Sequence, residues 1–122
     1  MTAIKCVDSS AWLSYYFAEN RIIREIVEQG NLLITSSLSL FEIKKRLLSL
    51  KKEPKKFLDF IKQRSQIVLV TATIAESAAD FAIKKKLGAM DSLIFTTSHF
   101  HNAELITGDN DFRGLENVKI IS

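Results

Sequence analysis

The chain has a single cysteine, so it cannot close an internal disulfide, and a disulfide-stapled secreted scaffold is excluded. That cysteine, Cys6, lies in an apolar run and reads as an inert buried thiol. There are two histidines, His99 and His101, at i and i+2. On a helix they point to different faces and cannot chelate one ion together, and no cysteine–histidine set has zinc-binding spacing. Glycine is scarce, with four in 122 residues, and none falls in a Gly-x-x-x-x-Gly-Lys loop or a Gly-x-Gly-x-x-Gly fingerprint. Nucleotide binding through a glycine-rich phosphate loop is thereby excluded. No apolar run approaches the ~20 residues that a membrane-spanning helix requires. The N-terminus also lacks the charged-then-apolar pattern of a signal peptide. These absences lead to the expectation of a cytoplasmic protein with no membrane segment.

What is present supports one domain, expected to span 1–122. The chain is 47% hydrophobic, enough for a core, and 25% charged, an ordinary share. The net charge of +3 is mild but unevenly distributed. Nine of the 17 basic residues fall between Lys44 and Arg64: Lys44, Lys45, Arg46, Lys51, Lys52, Lys55, Lys56, Lys62 and Arg64. Only Glu53 and Asp59 oppose them there. This stretch is either the solvated face of two amphipathic helices or an electrostatic footprint for a polyanion.

Short apolar runs alternate with helical periodicity, which predicts an α/β/α sandwich around a mostly parallel sheet. Strands are expected at Ala3 to Val7, Leu32 to Thr35, Ile67 to Val70, Glu104 to Thr107 and Val118 to Ile121. Between the first two strands, Ser9 or Ser10 caps a helix carrying Trp12, Leu13, Tyr16 and Phe17. A second helix from Arg21 to Gln29 aligns Ile22, Ile23, Ile26 and Val27, and Gly30 stops it. A serine-rich turn, Ser36 to Ser39, opens a helix through Leu50 with Leu40, Ile43, Leu47 and Leu48 inward. Pro54 suits the first turn of the next helix, which carries Phe57, Leu58 and Ile61. Thr73 caps a helix running to Lys86 that Gly88 ends, and Asp91 starts another through Asn102. Trp12, Tyr15, Tyr16 and Phe17 form the densest aromatic cluster. Core packing is its first reading, and any remainder would serve a dimer face or a partner groove.

Four of the junctions between these elements carry an acid: Asp8, Glu42, Asp91 and Asp109. Each has a local explanation. Asp8 can cap a helix, Ser39-x-x-Glu42 has the form of a capping box, Asp91 can complement a helix dipole, and Asp109 and Asp111 sit in a Gly-containing turn. Their conjunction is what points to chemistry. In open α/β sheets ligands sit outside the carboxyl ends of the strands, and acids gathered there repel one another unless a cation joins them. An all-oxygen donor set suits Mg²⁺ or Mn²⁺, and a phosphodiester is a natural substrate for such a site. A phosphoaspartyl hydrolase would need Asp-x-Asp after the first strand, and Asp8-Ser9-Ser10 does not supply it.

Val-Asp-Ser-Ser after the first strand, Phe-Glu-Ile opening a lysine-rich helix, a lone Asp before Ser-Leu-Ile, and Leu-Ile-Thr-Gly-Asp-x-Asp-Phe near the end resemble the PIN domain. The compact length is similar to that of VapC-type toxins of toxin–antitoxin pairs. The resemblance implies a Mg²⁺- or Mn²⁺-dependent ribonuclease acting on single-stranded or loop RNA and leaving 5′-phosphate ends. Asp8, Glu42, Asp91 and Asp109 match the four acidic positions of that family. Asp111 matches a less constant fifth, Thr107 a supporting hydroxyl, and Ser9 stands beside Asp8 in the motif. The toxin likeness further implies a homodimer and a small antitoxin. A housekeeping RNA-processing nuclease and a non-catalytic RNA-binding scaffold are the alternative readings.

Overall fold

The computed structural model describes residues 3–121, and the ends of the expected 1–122 domain beyond these lie outside the described residues. Five short strands form one sheet: β1 (Ile4–Val7), β2 (Leu32–Ser36), β3 (Gln66–Val68), β4 (Glu104–Thr107) and β5 (Val118–Ile120). Six helices connect them: α1 (Ser9–Tyr16), α2 (Arg21–Glu28), α3 (Ser37–Ser49), α4 (Lys55–Arg64), α5 (Ala72–Lys85) and α6 (Ala89–Phe100). A single 3-10 turn, Asn110–Phe112, follows β4. The strand order is β3-β2-β1-β4-β5 and every pairing is parallel.

Alternation along the strands sends neighbouring side chains to opposite layers. Val7, Leu33 and Ile106 enter one core with Trp12, Ile23, Ile43 and Ile61, from α1 to α4. Cys6, Ile34 and Leu105 enter the other with Ile94 and Phe95 of α6. The result is the expected three-layer α/β/α sandwich. From β1 the chain first builds outward to β2 and β3, then crosses back to add β4 and β5 on the other side of β1. That reversal opens a crevice at the carboxyl ends of β1 and β4, the place where such sheets bind ligands.

Several helix boundaries differ from the expectation. Ser36, not Ser39, caps α3, accepting from the Leu38 amide at 3.1 Å. Thr71, not Thr73, caps α5. Gly88 stands at the N-cap of α6, while Lys86, in the left-handed region, ends α5. Leu48 and Ile22, expected inward, are exposed. Trp12 is fully buried and donates to Thr35 Oγ1 at 3.0 Å. The chain of hydroxyls continues to Ser65 at 2.8 Å and from there to the Ile61 carbonyl at 2.8 Å. Around Trp12 the rings of Tyr15, Phe57 and Phe60 stack and cross, which bears out core packing for the centre of the aromatic cluster and leaves Phe60 and Phe17 exposed at its rim. Among the described residues no helix is long and apolar enough to cross a membrane.

Candidate metal centre

Asp8 follows β1 directly and is 6% exposed. It is the N-cap of α1, its Oδ1 accepting from the Ser9 amide at 2.7 Å. The helix thus begins on the acid rather than on Ser9 or Ser10. The other oxygen, Oδ2, accepts from Thr107 Oγ1 at 2.8 Å, across the β1–β4 boundary, and from Ser10 Oγ at 3.3 Å. Capping therefore uses one oxygen of Asp8 and leaves the other to the hydroxyls of Thr107 and Ser10. Burial holds its carboxyl above the usual range, against the opposing pull of the hydrogen bonds from Thr107, Ser9 and Ser10, and the Asp109 charge adds to the rise.

Glu42 lies in the second turn of α3, one turn beyond the observed cap, so the Ser39–Glu42 capping box does not form. Its Oε1 accepts from Ser9 Oγ at 3.1 Å. Burial and then the Asp8 charge push its carboxyl up, opposed first by the hydrogen bond from Ser9 and then by Lys45 on the same helix. Asp91 lies in the first turn of α6, where the helix dipole favours a negative charge. Its carboxyl is nonetheless pushed up to about 6, by burial first and then by Asp109, Asp8, Asp111 and Glu42. Asp109 ends the β4 loop, its Oδ1 accepting from the Asp111 amide at 2.8 Å.

Carboxylate oxygens of Asp91, Asp109 and Asp111 all lie within 4.8 Å of one another. None of the ion pairs among the described residues involves any of the five acids. Three converging oxygens without a paired cation fit a hard divalent ion. Asp8 and Glu42 stand outside this trio yet close enough for their charges to act on Asp91. The sequence weighed Asp111 as the lesser fifth acid, but the geometry puts it in the tightest group. Ser10, offered by the sequence only as a helix cap, also reaches the site.

Other candidates fall away from this crevice. His99, eight residues along α6 from Asp91 and so about 12 Å down the helix axis, crosses the ring of Phe81 and lies parallel to Phe95. Burial pushes the Cys6 thiol up to about 12, which suits an inert core residue. Of the nine basic residues, Lys44, Lys45, Arg46, Lys51, Lys52, Lys55, Lys56 and Lys62 are exposed. Arg64 is not part of that face: it donates to the carbonyls of Val27, Gln29 and Asn31 at 2.7, 2.9 and 3.1 Å, closing the turn between α2 and β2.

The PIN domain family matches residues 5–117. No curated protein sequence matches the chain. Among solved structures, a chain of a toxin–antitoxin complex from Klebsiella pneumoniae superposes with a TM-score of 0.81 at 21% identity, over 97% of this chain and 98% of that one. VapBC2 from Rickettsia felis, bound to a DNA fragment from its promoter, gives 0.79 at 18% identity, over 98% of this chain and 99% of that one. The Sarcin-Ricin loop cleaving toxin VapC20 from Mycobacterium tuberculosis gives 0.73 at 17% identity, over 98% and 100%. Such identities speak for the fold alone. The family match runs over nearly the whole sequence, and the chain belongs to the PIN domain family.

Proposed function

We propose that the chain is a Mg²⁺- or Mn²⁺-dependent endoribonuclease that hydrolyses phosphodiester bonds of single-stranded or loop RNA, as the toxin of a toxin–antitoxin pair. The convergence of Asp91, Asp109 and Asp111 within 4.8 Å carries this reading. Family membership supports it, as do the toxin–antitoxin complexes among the structural neighbours, one of them a toxin that cleaves the sarcin–ricin loop.

In this reading Asp91, Asp109 and Asp111 hold the ion. Asp8 completes the negative wall of the site, and its position is fixed by the Ser9 amide and the Thr107 hydroxyl. Glu42, held by Ser9 Oγ, faces the same crevice and is suited to orient water or to join the ion's ligands. When bound, the ion supplies charge neutralisation at the phosphodiester and acidifies the attacking water. The exposed lysines of α3 and α4 steer the RNA backbone. A small antitoxin and a second copy of the chain are the proposed protein partners, and the rim rings Tyr15, Tyr16 and Phe60 offer an apolar surface of the kind that receives a helix. The proposed compartment is the cytoplasm.

The test is cleavage of an end-labelled single-stranded RNA pool with Mn²⁺, Mg²⁺ or EDTA, beside Asp91→Asn and Asp8→Asn. Cutting that needs metal and is lost in both variants is the expected result. Metal-independent cutting, or wild-type rates in a folded Asp91→Asn protein, would refute the site. Growth arrest on induced expression, relieved in Asp91→Asn, is expected if the protein is a toxin.

A further inference from the structure

We propose that Ser10 is a positioning residue whose hydroxyl clamps the turn after β4 onto Asp8 and thereby sets where Asp109 and Asp111 stand. The inference rests on the reading of the acidic cluster as a cation site, and it adds a residue to which that reading gave no role.

A seryl hydroxyl has one proton and two lone pairs. The Gly108 amide donates to Ser10 Oγ at 2.9 Å and so occupies one lone pair. Thr107 Oγ1 lies 3.1 Å from Ser10 Oγ. The Thr107 proton is already directed to Asp8 Oδ2 at 2.8 Å, while Thr107 Oγ1 accepts the Asp109 amide at 3.0 Å. The one proton of Ser10 therefore faces two acceptors, Thr107 Oγ1 at 3.1 Å and Asp8 Oδ2 at 3.3 Å, and is shared between them. Donors therefore run in one sense, from the Gly108 amide to Ser10, from Ser10 to Thr107 and Asp8, and from Thr107 to Asp8. Hydrogen bonds aligned in this way strengthen one another.

Two consecutive amides of the β4 turn thus end, through two hydroxyls, on one carboxylate oxygen. Asp109 is fixed by its own amide, and Asp111 by its amide's bond to Asp109 Oδ1 at 2.8 Å. The placement of both acids traces back to the clamp. Ser10 is not the cap of α1, since Asp8 is. The adjacent Ser9 turns the other way, to Glu42. Neighbouring hydroxyls therefore divide the work, Ser9 tying Glu42 to Asp8 and Ser10 tying the β4 turn to Asp8.

The deciding experiment compares wild type with Ser10→Ala, Ser10→Cys and Ser10→Thr in metal-free protein. Cysteine keeps the size but is a weak acceptor, and threonine keeps the hydroxyl. Hydrogen exchange at the Gly108 amide, thermal melting and Mn²⁺ affinity by calorimetry are read together. The expected result is faster Gly108 exchange and Mn²⁺ binding weakened about tenfold or more in the alanine and cysteine variants, with both restored in Ser10→Thr. Wild-type Mn²⁺ affinity in either folded variant overturns the proposal, and so does unchanged Gly108 protection. If wild type itself takes no Mn²⁺, the cation reading fails, and Gly108 exchange alone then decides whether the clamp exists. If Ser10→Ala does not fold, Ser10→Cys decides the matter by the same readouts.

Discussion

Asp91 gives the cleanest test of the crowding of charge. Its carboxyl is raised from the ordinary 3.8 to about 6, and those of Asp8 and Glu42 shift the same way. Between those values the folded protein keeps a proton that the unfolded chain has released. The contribution to stability is thus full below about pH 4 and is lost as pH rises through about 6. In EDTA the protein is expected to melt lower near pH 7 than near pH 5, and Asp91→Asn should shrink the difference in a thermal scan. A second expectation concerns Gly108, whose φ is not in the left-handed region and whose added Cβ finds ordinary contacts. Gly108→Ala should change the unfolding free energy by less than about 1 kcal/mol, measured by urea titration. The sequence singled out the acids that the fold brings near one another but not how each one is held. The serine-rich turn left more than one serine as a possible cap for one helix, and in the fold Ser36, at the end of β2, takes that place. Once Ser36 caps, Glu42 moves out of reach of a capping box and its side chain is free to meet Ser9.

Between elements, the hydroxyl chain from Trp12 through Thr35 to Ser65 ties α1, β2 and the end of α4 across an otherwise apolar layer. Thr35→Val keeps the shape but strands the indole N–H. Leaving such a buried donor unmet costs about 1–3 kcal/mol, readable from the urea midpoint. On the outer side of α3 and α4, replacing Lys44, Lys45, Lys51 and Lys52 with glutamine should flatten the salt dependence of RNA binding by about 0.7 in slope for each phosphate no longer neutralised. Arg64→Gln should leave that slope unchanged and destabilise the fold instead, because Arg64 serves three carbonyls of the α2–β2 turn. Charge counting alone could not separate Arg64 from its lysine neighbours, since what distinguishes it is a contact with residues more than thirty positions earlier. The exposed Leu48 shows the matching limit of periodicity, which finds an apolar stripe but not how wide a face the neighbouring helices cover.

For the folded body, the central expectation is ligand linkage. Mn²⁺ that binds only the native state should stabilise it by about 2.7 kcal/mol at a hundredfold excess over Kd. The melting temperature should rise with Mn²⁺ in wild type and stay flat in Asp109→Asn. Alternating strand and helix patterns made the parallel sandwich legible. The order β3-β2-β1-β4-β5 was not legible, because an apolar stripe does not say which side of the sheet its helix will cover. That order has a consequence for how the protein is made. The central strand, β1, is synthesised early, but its partner β4 emerges about a hundred residues later. Translation at roughly 5–20 residues per second leaves β1 with one flank unpaired for several seconds. Until Glu104–Thr107 docks, Asp109 and Asp111 have no fixed place beside Asp91. The nascent chain therefore passes most of translation with its acids still scattered, and the centre assembles only when the late strand closes against the early one.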